Sequence, residues 1–269
     1  MNQKQGEDTV QLENAIQRQF GAAAARYAAS DYHGGGPDLT AMLEAAGPRG
    51  DERVLDLGCG TGHTALAFAP HVREVVGLDL TQAMLDEAGR LAALRGIANL
   101  RLERGDAMAL PYPDASFDLV TCRQCAHHFE RPEAAMREVA RVLRPGGRLV
   151  LVDSVAPEDA AQDSFLNAIE LLRDPSHVRD HPLSRWLLLL DAAGFAGECR
   201  GSWRLAIDFD DWVLRMATPP AVVAVLRGLL ADATDGVRAG LGVRSGERAG
   251  FEIPIALLLA TRKGRLPRL

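Results

Sequence analysis

The sequence predicts an α/β fold in which a mostly parallel sheet carries helices on both faces. Two observations support this prediction. Between residues 53 and 152, apolar runs of strand length alternate with helical patterns, which is typical of a parallel sheet. The first apolar run leads directly into three glycines at alternate positions, Gly58, Gly60 and Gly62. This succession indicates a buried strand, a tight turn and the start of a helix.

The elements can be taken in order along the chain. Residues 9–29 and Pro37–Ala46 are helical in pattern and precede the first strand. Thr81 is a suitable N-cap for the helix that follows the second strand. The five predicted strands of the regular part are 53–57, 74–79, 100–104, Phe117–Cys122 and Leu149–Val152, with helices at 62–70, Thr81–Leu94 and Pro132–Leu143. Beyond Ser154 we predict helices at Ser164–Leu172, Ser184–Ala193 and 219–231 and two β-rich pieces at 199–209 and 251–262.

Composition narrows the class of protein. A formal net charge of −6 and an isoelectric point near 5.7 provide no basic surface for a nucleic-acid backbone. Four cysteines in 269 residues do not make a secreted disulfide framework. The start of the chain is polar, and the longest apolar stretches, Trp186–Leu190 and Ile253–Ala260, are too short to span a membrane. We therefore expect a cytoplasmic protein, monomeric or homodimeric, without a membrane span or a nucleic-acid partner.

The glycine turn is the first candidate binding site. Gly58 and Gly60 can adopt positive φ and expose bare backbone to a ligand, whereas Gly62 would let the next helix pack closely. Asp56 lies inside the strand, where a carboxylate is costly to bury unless it meets a cation or several donors. Asp79 ends the second strand about 20 residues after the turn, the spacing of a ribose-binding acid. These residues suit either a dinucleotide or an adenosyl sulfonium cofactor.

Further motifs favour one of these two cofactors, because together with the glycine turn they resemble a known family of proteins. The blocks Val54–Gly62, Asp79, Gly105–Asp118 and Arg141–Gly147 together resemble class I S-adenosylmethionine-dependent methyltransferases. The ubiquinone/menaquinone-biosynthesis C-methyltransferases are the most similar subgroup. The resemblance covers residues 50–155 and 184–262, and a looser likeness to uncharacterised members extends to the loop 174–179. It implies a Rossmann-like sheet of seven strands with an antiparallel last strand, here Ile255–Arg262, plus helical elements that cover the site.

The resemblance also implies the cofactor, S-adenosyl-L-methionine, and its contacts. Asp56 and the turn would face the amino-acid end of the cofactor, and Asp79 would accept from the ribose diol. Asp106 would accept from the adenine amino group, and the backbone N–H of Ala107 would serve a ring nitrogen. The complete set of expected cofactor-binding residues is Asp56, Gly58, Cys59, Gly60, Gly62, Asp79, Leu80, Met84, Asp106, Ala107 and Arg123.

Methyl transfer depends mainly on orienting an acceptor opposite the sulfur and excluding water. If the acceptor is a phenol, an enol carbon or a hydroxyl, a neighbouring base would help. We expect His128, which follows the fourth strand, to take that role, and His127 to be packed. Cys122 and Cys125 form a Cys-x-x-Cys pair before these histidines, but without a second pair the spacing does not favour a metal.

The covering segments supply two more candidate catalytic residues, Tyr27 and His33. Polar aromatic residues beside glycines suit a mobile cover over an acceptor pocket. We accordingly expect one domain in three parts. Residues 1–47 form a helical cover, residues 48–155 bind the cofactor, and residues 156–269 complete the sheet and insert helices over the substrate.

Other functions remain to be weighed. A nicotinamide-dependent oxidoreductase of the short-chain type needs Tyr-x-x-x-Lys, and no tyrosine stands four residues before Lys4 or Lys263. A non-catalytic adenosyl-binding module would share the same motifs. Methyltransferases acting on nucleic-acid amines usually carry Asn/Asp-Pro-Pro-Tyr after the fourth strand, where this chain has residues 123–126, Arg-Gln-Cys-Ala. A small-molecule acceptor is therefore the favoured prediction, with C- and O-methylation both open.

Overall fold

A computed structural model describes residues 17, 20, 21, 24, 27, 28 and 34–264. A single sheet of seven strands organises this part of the chain. The strands are β1 (Arg53–Leu57), β2 (Glu74–Asp79), β3 (Leu100–Arg104), β4 (Phe117–Arg123), β5 (Leu143–Ser154), β6 (Phe195–Asp208) and β7 (Gly250–Arg262).

The strand order is β3-β2-β1-β4-β5-β7-β6. Strands β1 to β5 pair in parallel with one another, whereas β7 is antiparallel to both β5 and β6. The mostly parallel sheet with a reversed last strand is therefore confirmed. The chain moves outward from β1 to β3 and then returns to place β4 beside β1. Ligands of open α/β sheets bind at such a switch point, outside the carboxyl ends of the strands.

Nine α-helices lie wholly within residues 34–264. They are α1 (Pro37–Ala46), α2 (His63–Phe68), α3 (Gln82–Leu94), α4 (Pro132–Val142), α5 (Ala160–Arg173), α6 (Leu183–Ala192), α7 (Phe209–Arg215), α8 (Pro220–Ala231) and α9 (Asp235–Leu241). Among these residues no helix has the length and apolar character needed to cross a membrane.

Two hydrophobic cores lie on opposite faces of the sheet. Val54 and Val150 point into one core and their chain neighbours Leu55 and Leu151 into the other, because side chains alternate between the faces of a strand. The first core is closed by α1, α5 and the helices between β6 and β7, the second by α4 and α6. Helices therefore cover both faces, as the sequence predicts.

The structure departs from the predicted elements in several places. Strand β6 and helix α5 each begin four residues before their predicted bounds, at Phe195 and Ala160, and β5 and two short helices differ more. Strand β5 begins at Leu143, six residues early, because Leu143 already pairs with Phe117 before the register shifts across residues 144–147. The short helices α7 and α9 are absent from the prediction. Each has seven residues and is capped by a side chain, Asp208 and Thr234 respectively, and seven residues are too few to show a helical period.

Candidate active site

A cavity opens at the carboxyl ends of β1, β2 and β4 and contains about 1160 Å³ of empty space, counting the part open to solvent. We call it the cofactor cavity. Eleven of the predicted site residues line it: Tyr27, Gly58, Cys59, Gly60, Asp79, Leu80, Met84, Asp106, Ala107, Arg123 and His128. Asp56 and Gly62 are not among its described lining residues, and His33 lies outside the residues that the structure describes.

The glycine turn has the conformation that the sequence predicts. Gly58, Gly60 and Gly62 all have positive φ, between 51° and 83°. A side chain at Gly58 would overlap the sulfur of Cys125, whereas no atom lies within 4 Å of the position that a Cβ of Gly60 would take. The backbone at Gly60 therefore borders open space that a ligand can fill. Gly62 instead allows close packing, since its Cβ would lie 2.9 Å from that of Ala88 in α3.

Asp56 acts within the protein rather than at the cavity surface. Its Oδ2 accepts the backbone N–H of Ala65 at 3.0 Å, and its Oδ1 accepts the hydroxyl of Thr121 at 2.7 Å. Burial raises the pKa of this carboxyl to about 7, against the lowering effect of those two hydrogen bonds. The expected contact of Asp56 with the amino-acid end of a cofactor stays a prediction, for a carboxylate that already accepts two hydrogen bonds from the protein. Asp56 fixes β1 to β4 and to α2, and so shapes the turn between β1 and α2.

Asp79 is both a structural acceptor and a cavity residue. Its Oδ2 accepts the N–H of Gly60 and its Oδ1 the N–H of Thr81, each at 2.8 Å. Burial raises the pKa of the carboxyl despite these bonds. Each carboxylate oxygen can accept a second hydrogen bond, so two adjacent hydroxyls of a ligand could bind here.

Asp106 follows the end of β3 and lines the cofactor cavity. Its Oδ1 accepts the N–H of Met108 at 2.8 Å, which folds the loop that carries Ala107. Both Asp106 and Ala107 line the cavity, as do Leu80 and Met84. This loop combines a carboxylate with apolar side chains, a combination that suits a planar base with an exocyclic amino group.

A second cavity of about 730 Å³, measured in the same way, adjoins the first. We call it the acceptor cavity. Phe20, Tyr27, Gln124 and His128 line both cavities and so form the junction between them. Its other lining residues are His127, Ser154, Glu170, Arg173, Asp174, His177, Leu205, Ile207, Trp212, Arg215, Ile253 and Ile255.

His127 is partly buried and packs against Asp153, with which it forms an ion pair. Its Nδ1 donates to Oδ1 of Asp153 at 2.6 Å. The other oxygen of Asp153 accepts the backbone N–H groups of Cys125, Ala126 and His127 at 2.5 to 3.2 Å. Burial alone would lower the pKa of His127, but the Asp153 carboxylate raises it to about 10. The pair secures the short turn Ala126–His128 to the end of β5.

His128 differs from its neighbour in charge, and unlike His127 it lines both cavities. Its Nδ1 lies 2.9 Å from the carbonyl oxygen of Ser176. Because a carbonyl oxygen can only accept, Nδ1 carries the hydrogen and Nε2 keeps its lone pair. Burial and the charge of His127, whose ring centre lies 4.2 Å away, lower the pKa of His128 to about 4. The ring is therefore neutral at physiological pH.

The loop between α5 and α6 holds both histidines in place. The backbone N–H groups of Val178 and Arg179 both donate to the carbonyl of His127 at 3.0 Å. Asn167 in α5 accepts the N–H of Asp180 at 2.7 Å and lies 3.2 Å from Nε2 of His177. The loop 174–179, singled out in the sequence by its likeness to related chains, thus fixes the tautomer and orientation of His128.

Gln124 and His63 are two of the cavity residues that the sequence analysis does not single out as site residues. Gln124 has a φ of +53° and lines the junction, and its side-chain nitrogen is buried without a hydrogen-bond partner in the described structure. His63 donates from Nε2 to the carbonyl of Tyr27 at 3.1 Å and so joins the N-terminal segment to α2. No motif marks either residue. Strain and an unsatisfied donor at one position are typical of functional sites.

Tyr27 and Arg123 connect the covering segments to the cavity. The hydroxyl of Tyr27 donates to the sulfur of Met216 at 3.6 Å, and burial raises its pKa. Arg123 makes a buried bidentate pair with Asp38 at the start of α1, at 2.6 and 3.0 Å. Such planar pairing is the geometry that guanidinium favours. Arg123 therefore fixes α1 against the end of β4, beside the cofactor cavity.

Replacing His127 with glutamine should lower the free energy of unfolding at pH 7 by about 3–5 kcal/mol, because Asp153 would remain as a buried, uncompensated charge. A pKa raised from 6.5 to about 10 means that the stabilisation is complete below pH 6.5 and is lost as the pH rises through 10. Urea unfolding of wild type and variant at pH 7, 9 and 10 should therefore show a shrinking difference. The exposed His71 provides the control, His71→Gln, with no such difference at any pH. A difference that stays constant across this range would contradict the charge pair.

Comparisons with known proteins agree with this geometry. A family model of a methyltransferase domain matches residues 55–151. The chain is 48% identical over 184 residues to the uncharacterized methyltransferase YcgJ of Bacillus subtilis, covering 68% of this chain and 73% of that protein. It is 40% identical over 130 residues to the ubiquinone/menaquinone biosynthesis C-methyltransferase UbiE of Ruegeria sp. strain TM1040, covering 46% of this chain and 52% of that one.

Solved structures show the same fold at higher coverage. The crystal structure of YcgJ superposes with a TM-score of 0.82 at 40% identity and covers 84% of this chain and 98% of that chain. A putative methyltransferase from Bacillus halodurans superposes equally well, with a TM-score of 0.82 at 35% identity, and covers 84% of this chain and 99% of that one.

Proposed function

Because this chain belongs to the methyltransferase family, we propose that it transfers a methyl group from S-adenosylmethionine to a small-molecule acceptor held in the acceptor cavity. The observation that carries the proposal is the junction between the two cavities. A methyl donor in one and a nucleophile in the other would face each other across Tyr27, Gln124 and His128. In-line displacement needs such an arrangement and little else.

The cofactor cavity fits the proposed donor on three counts. The open backbone at Gly60 gives the amino-acid chain a place to lie. Asp79 has acceptor capacity for the ribose diol, and the Asp106–Met108 loop borders the space for adenine. When bound, S-adenosylmethionine supplies an electrophilic methyl group on a sulfonium. The chain's own part is to orient the two reactants and to exclude water.

His128 is suited to accept a proton from the acceptor. Its Nε2 lone pair is available because Nδ1 donates to Ser176, and the ring stays neutral above a pKa of about 4. Gln124 brings an unsatisfied donor to the same junction, where it would bind an oxygen of the acceptor. A hydroxyl, or an enol whose carbon is methylated, would use both groups. We therefore propose C- or O-methylation of a quinol, a phenol or a similar metabolite.

The parts of the chain take their proposed roles from this arrangement. Residues 48–155 bind the cofactor, residues 1–47 cover it, and residues 156–269 complete the sheet and enclose the acceptor. Tyr27 from the first part and the loop 174–179 from the third meet at the junction or beside it. His33 remains a proposed catalytic residue of the cover.

The test uses the purified chain with S-adenosylmethionine carrying an isotopically labelled methyl group and a panel of quinols, phenols and small acids, read by mass. We expect one chemical class to gain the label and S-adenosylhomocysteine to form in equal amount. Binding of the cofactor without transfer to any member would favour a non-catalytic adenosyl-binding module. Absence of cofactor binding in calorimetry would overturn the proposal altogether.

A further inference from the structure

The acceptor cavity has an apolar wall and a charged end. The wall consists of side chains from the neighbouring strands β6 and β7, where Leu205 pairs directly with Ile253 and is followed two residues later by Ile207. The charged end is built by α5, α7 and the residue after α5: Glu170, Arg173, Asp174 and Arg215. A ligand that fills this space must therefore combine an apolar body with a polar group.

Two contacts with Trp212 fix the side chain of Arg173 at the charged end of the cavity, one through the flat face of its guanidinium and one through Nε. Its guanidinium lies over the ring of Trp212, 5.0 Å from the ring centre, and its Nε donates to the carbonyl of Trp212 at 3.1 Å. Its terminal nitrogens make no hydrogen bond with any described residue, although Nη1 lies 3.6 Å from a carboxylate oxygen of Glu170. The guanidinium of Arg173 is thus held in one orientation, and the N–H groups of its two terminal nitrogens can still donate hydrogen bonds to a ligand.

The other charges of the cavity are largely used within the protein. His127 is neutralised by Asp153. Oδ1 of Asp174 accepts both the backbone N–H and the hydroxyl of Ser176, at 2.9 and 2.6 Å. Burial raises the pKa of Glu170, and its Oε1 is shielded from solvent with no partner among the described residues. Asp174 is therefore engaged through Oδ1 by Ser176, and Glu170 lies beside Arg173 through Oε2.

We propose that the acceptor carries an oxyanion, a carboxylate or a phosphate, which Arg173 binds in the acceptor cavity while the apolar part of the acceptor lies against Leu205 and Ile253. The inference rests on the proposed function, since it describes the substrate of the same site. A fixed guanidinium whose two terminal amino groups make no hydrogen bond with the described residues matches the paired oxygens of carboxylate and phosphate. The anion would anchor the end of the acceptor remote from the nucleophile at His128.

The experiment uses the full chain loaded with S-adenosylhomocysteine and four ring compounds of similar size: benzoate, phenyl phosphate, benzamide and benzylamine. Binding is titrated by tryptophan fluorescence, for which Trp212 is a reporter beside Arg173. We expect at least one of the two anions to bind roughly tenfold or more tightly than benzamide, the scale of a charged hydrogen bond. Comparison of benzoate with phenyl phosphate identifies which oxyanion the cavity takes.

Substitutions test whether Arg173 itself binds the anion or whether a change in charge has a general effect on binding. Arg173→Gln should remove the preference for anions, and Arg173→Lys, which keeps the charge, should retain part of it. Arg200→Gln, at an exposed arginine on β6 paired with Glu198, should match wild type. Equal binding of benzamide, tighter binding of benzylamine, binding of none of the four, or an unchanged preference in Arg173→Gln would overturn the inference. The proposed function fails separately, if S-adenosylhomocysteine itself does not bind.

Discussion

Substitution of Asp79 by alanine should weaken binding of S-adenosylmethionine by roughly 100-fold or more. Two hydroxyl groups of the ligand would lose a charged acceptor, each worth about 1.5–3 kcal/mol. The variant also releases the N–H groups of Gly60 and Thr81, which Asp79 accepts at 2.8 Å, so the turn loses part of its order. Isothermal titration calorimetry measures the change directly.

Two controls separate ligand recognition from local folding. Asp79→Asn keeps the size of the side chain and one acceptor oxygen, and we expect it to recover part of the affinity. Asp86→Asn removes a charge from an exposed residue of α3 that accepts a hydrogen bond from Gln82, and it should bind as wild type does. Affinity in Asp79→Ala equal to that of wild type would refute the role assigned to this acid.

Replacement of His128 by alanine should reduce the turnover number by roughly 10²–10⁴-fold, the usual contribution of a positioned base. Cofactor affinity should change little, because the proposed bonds to the cofactor come from the glycine turn, Asp79 and the Asp106 loop. The measurement is a labelled-methyl assay with an acceptor from the screen, together with calorimetry on the same sample. His71→Ala, at an exposed histidine, is the matched control.

The pH dependence of turnover provides a second test of the proposed role of His128. With a pKa of about 4 the ring is neutral from pH 5 upward, so the turnover of wild type should not fall through protonation of this group between pH 5 and 8. His128→Ala should lower the whole profile without changing its shape in that range. An unaltered rate in the variant would reduce His128 to a packing role.

Much of the fold could be read directly from the chain. The strands at 53–57, 74–79 and 100–104 and the helix Pro37–Ala46 have the predicted bounds, because apolar periodicity and glycine or proline breaks are local signals. Positive φ at Gly58 and Gly60 follows from the same signals. The reversed last strand was available only through the resemblance to a family, since strand direction leaves no trace in a short apolar run.

The side chains of the site were only partly predictable. Asp56 is predicted to face a ligand, and the sequence does not show that its oxygens also accept hydrogen bonds from the backbone of α2 and the hydroxyl of Thr121. Gln124 carried no signal in the sequence, although its strained backbone and unsatisfied nitrogen mark it in the structure. Partners such as Thr121 lie 65 residues from Asp56, and no local pattern encodes a contact over that distance.

By itself, the sequence determined the alternation of strands and helices, the glycine turn and the acids after β2 and β3, because each depends on neighbours within a few residues. Only the tertiary structure decided which histidine is charged. His127 and His128 are adjacent and chemically identical in the chain, but Asp153 reaches one and the carbonyl of Ser176 the other. Their opposite pKa shifts arise from burial and from charges brought together by the fold, and so does the junction of the two cavities on which the proposed chemistry depends.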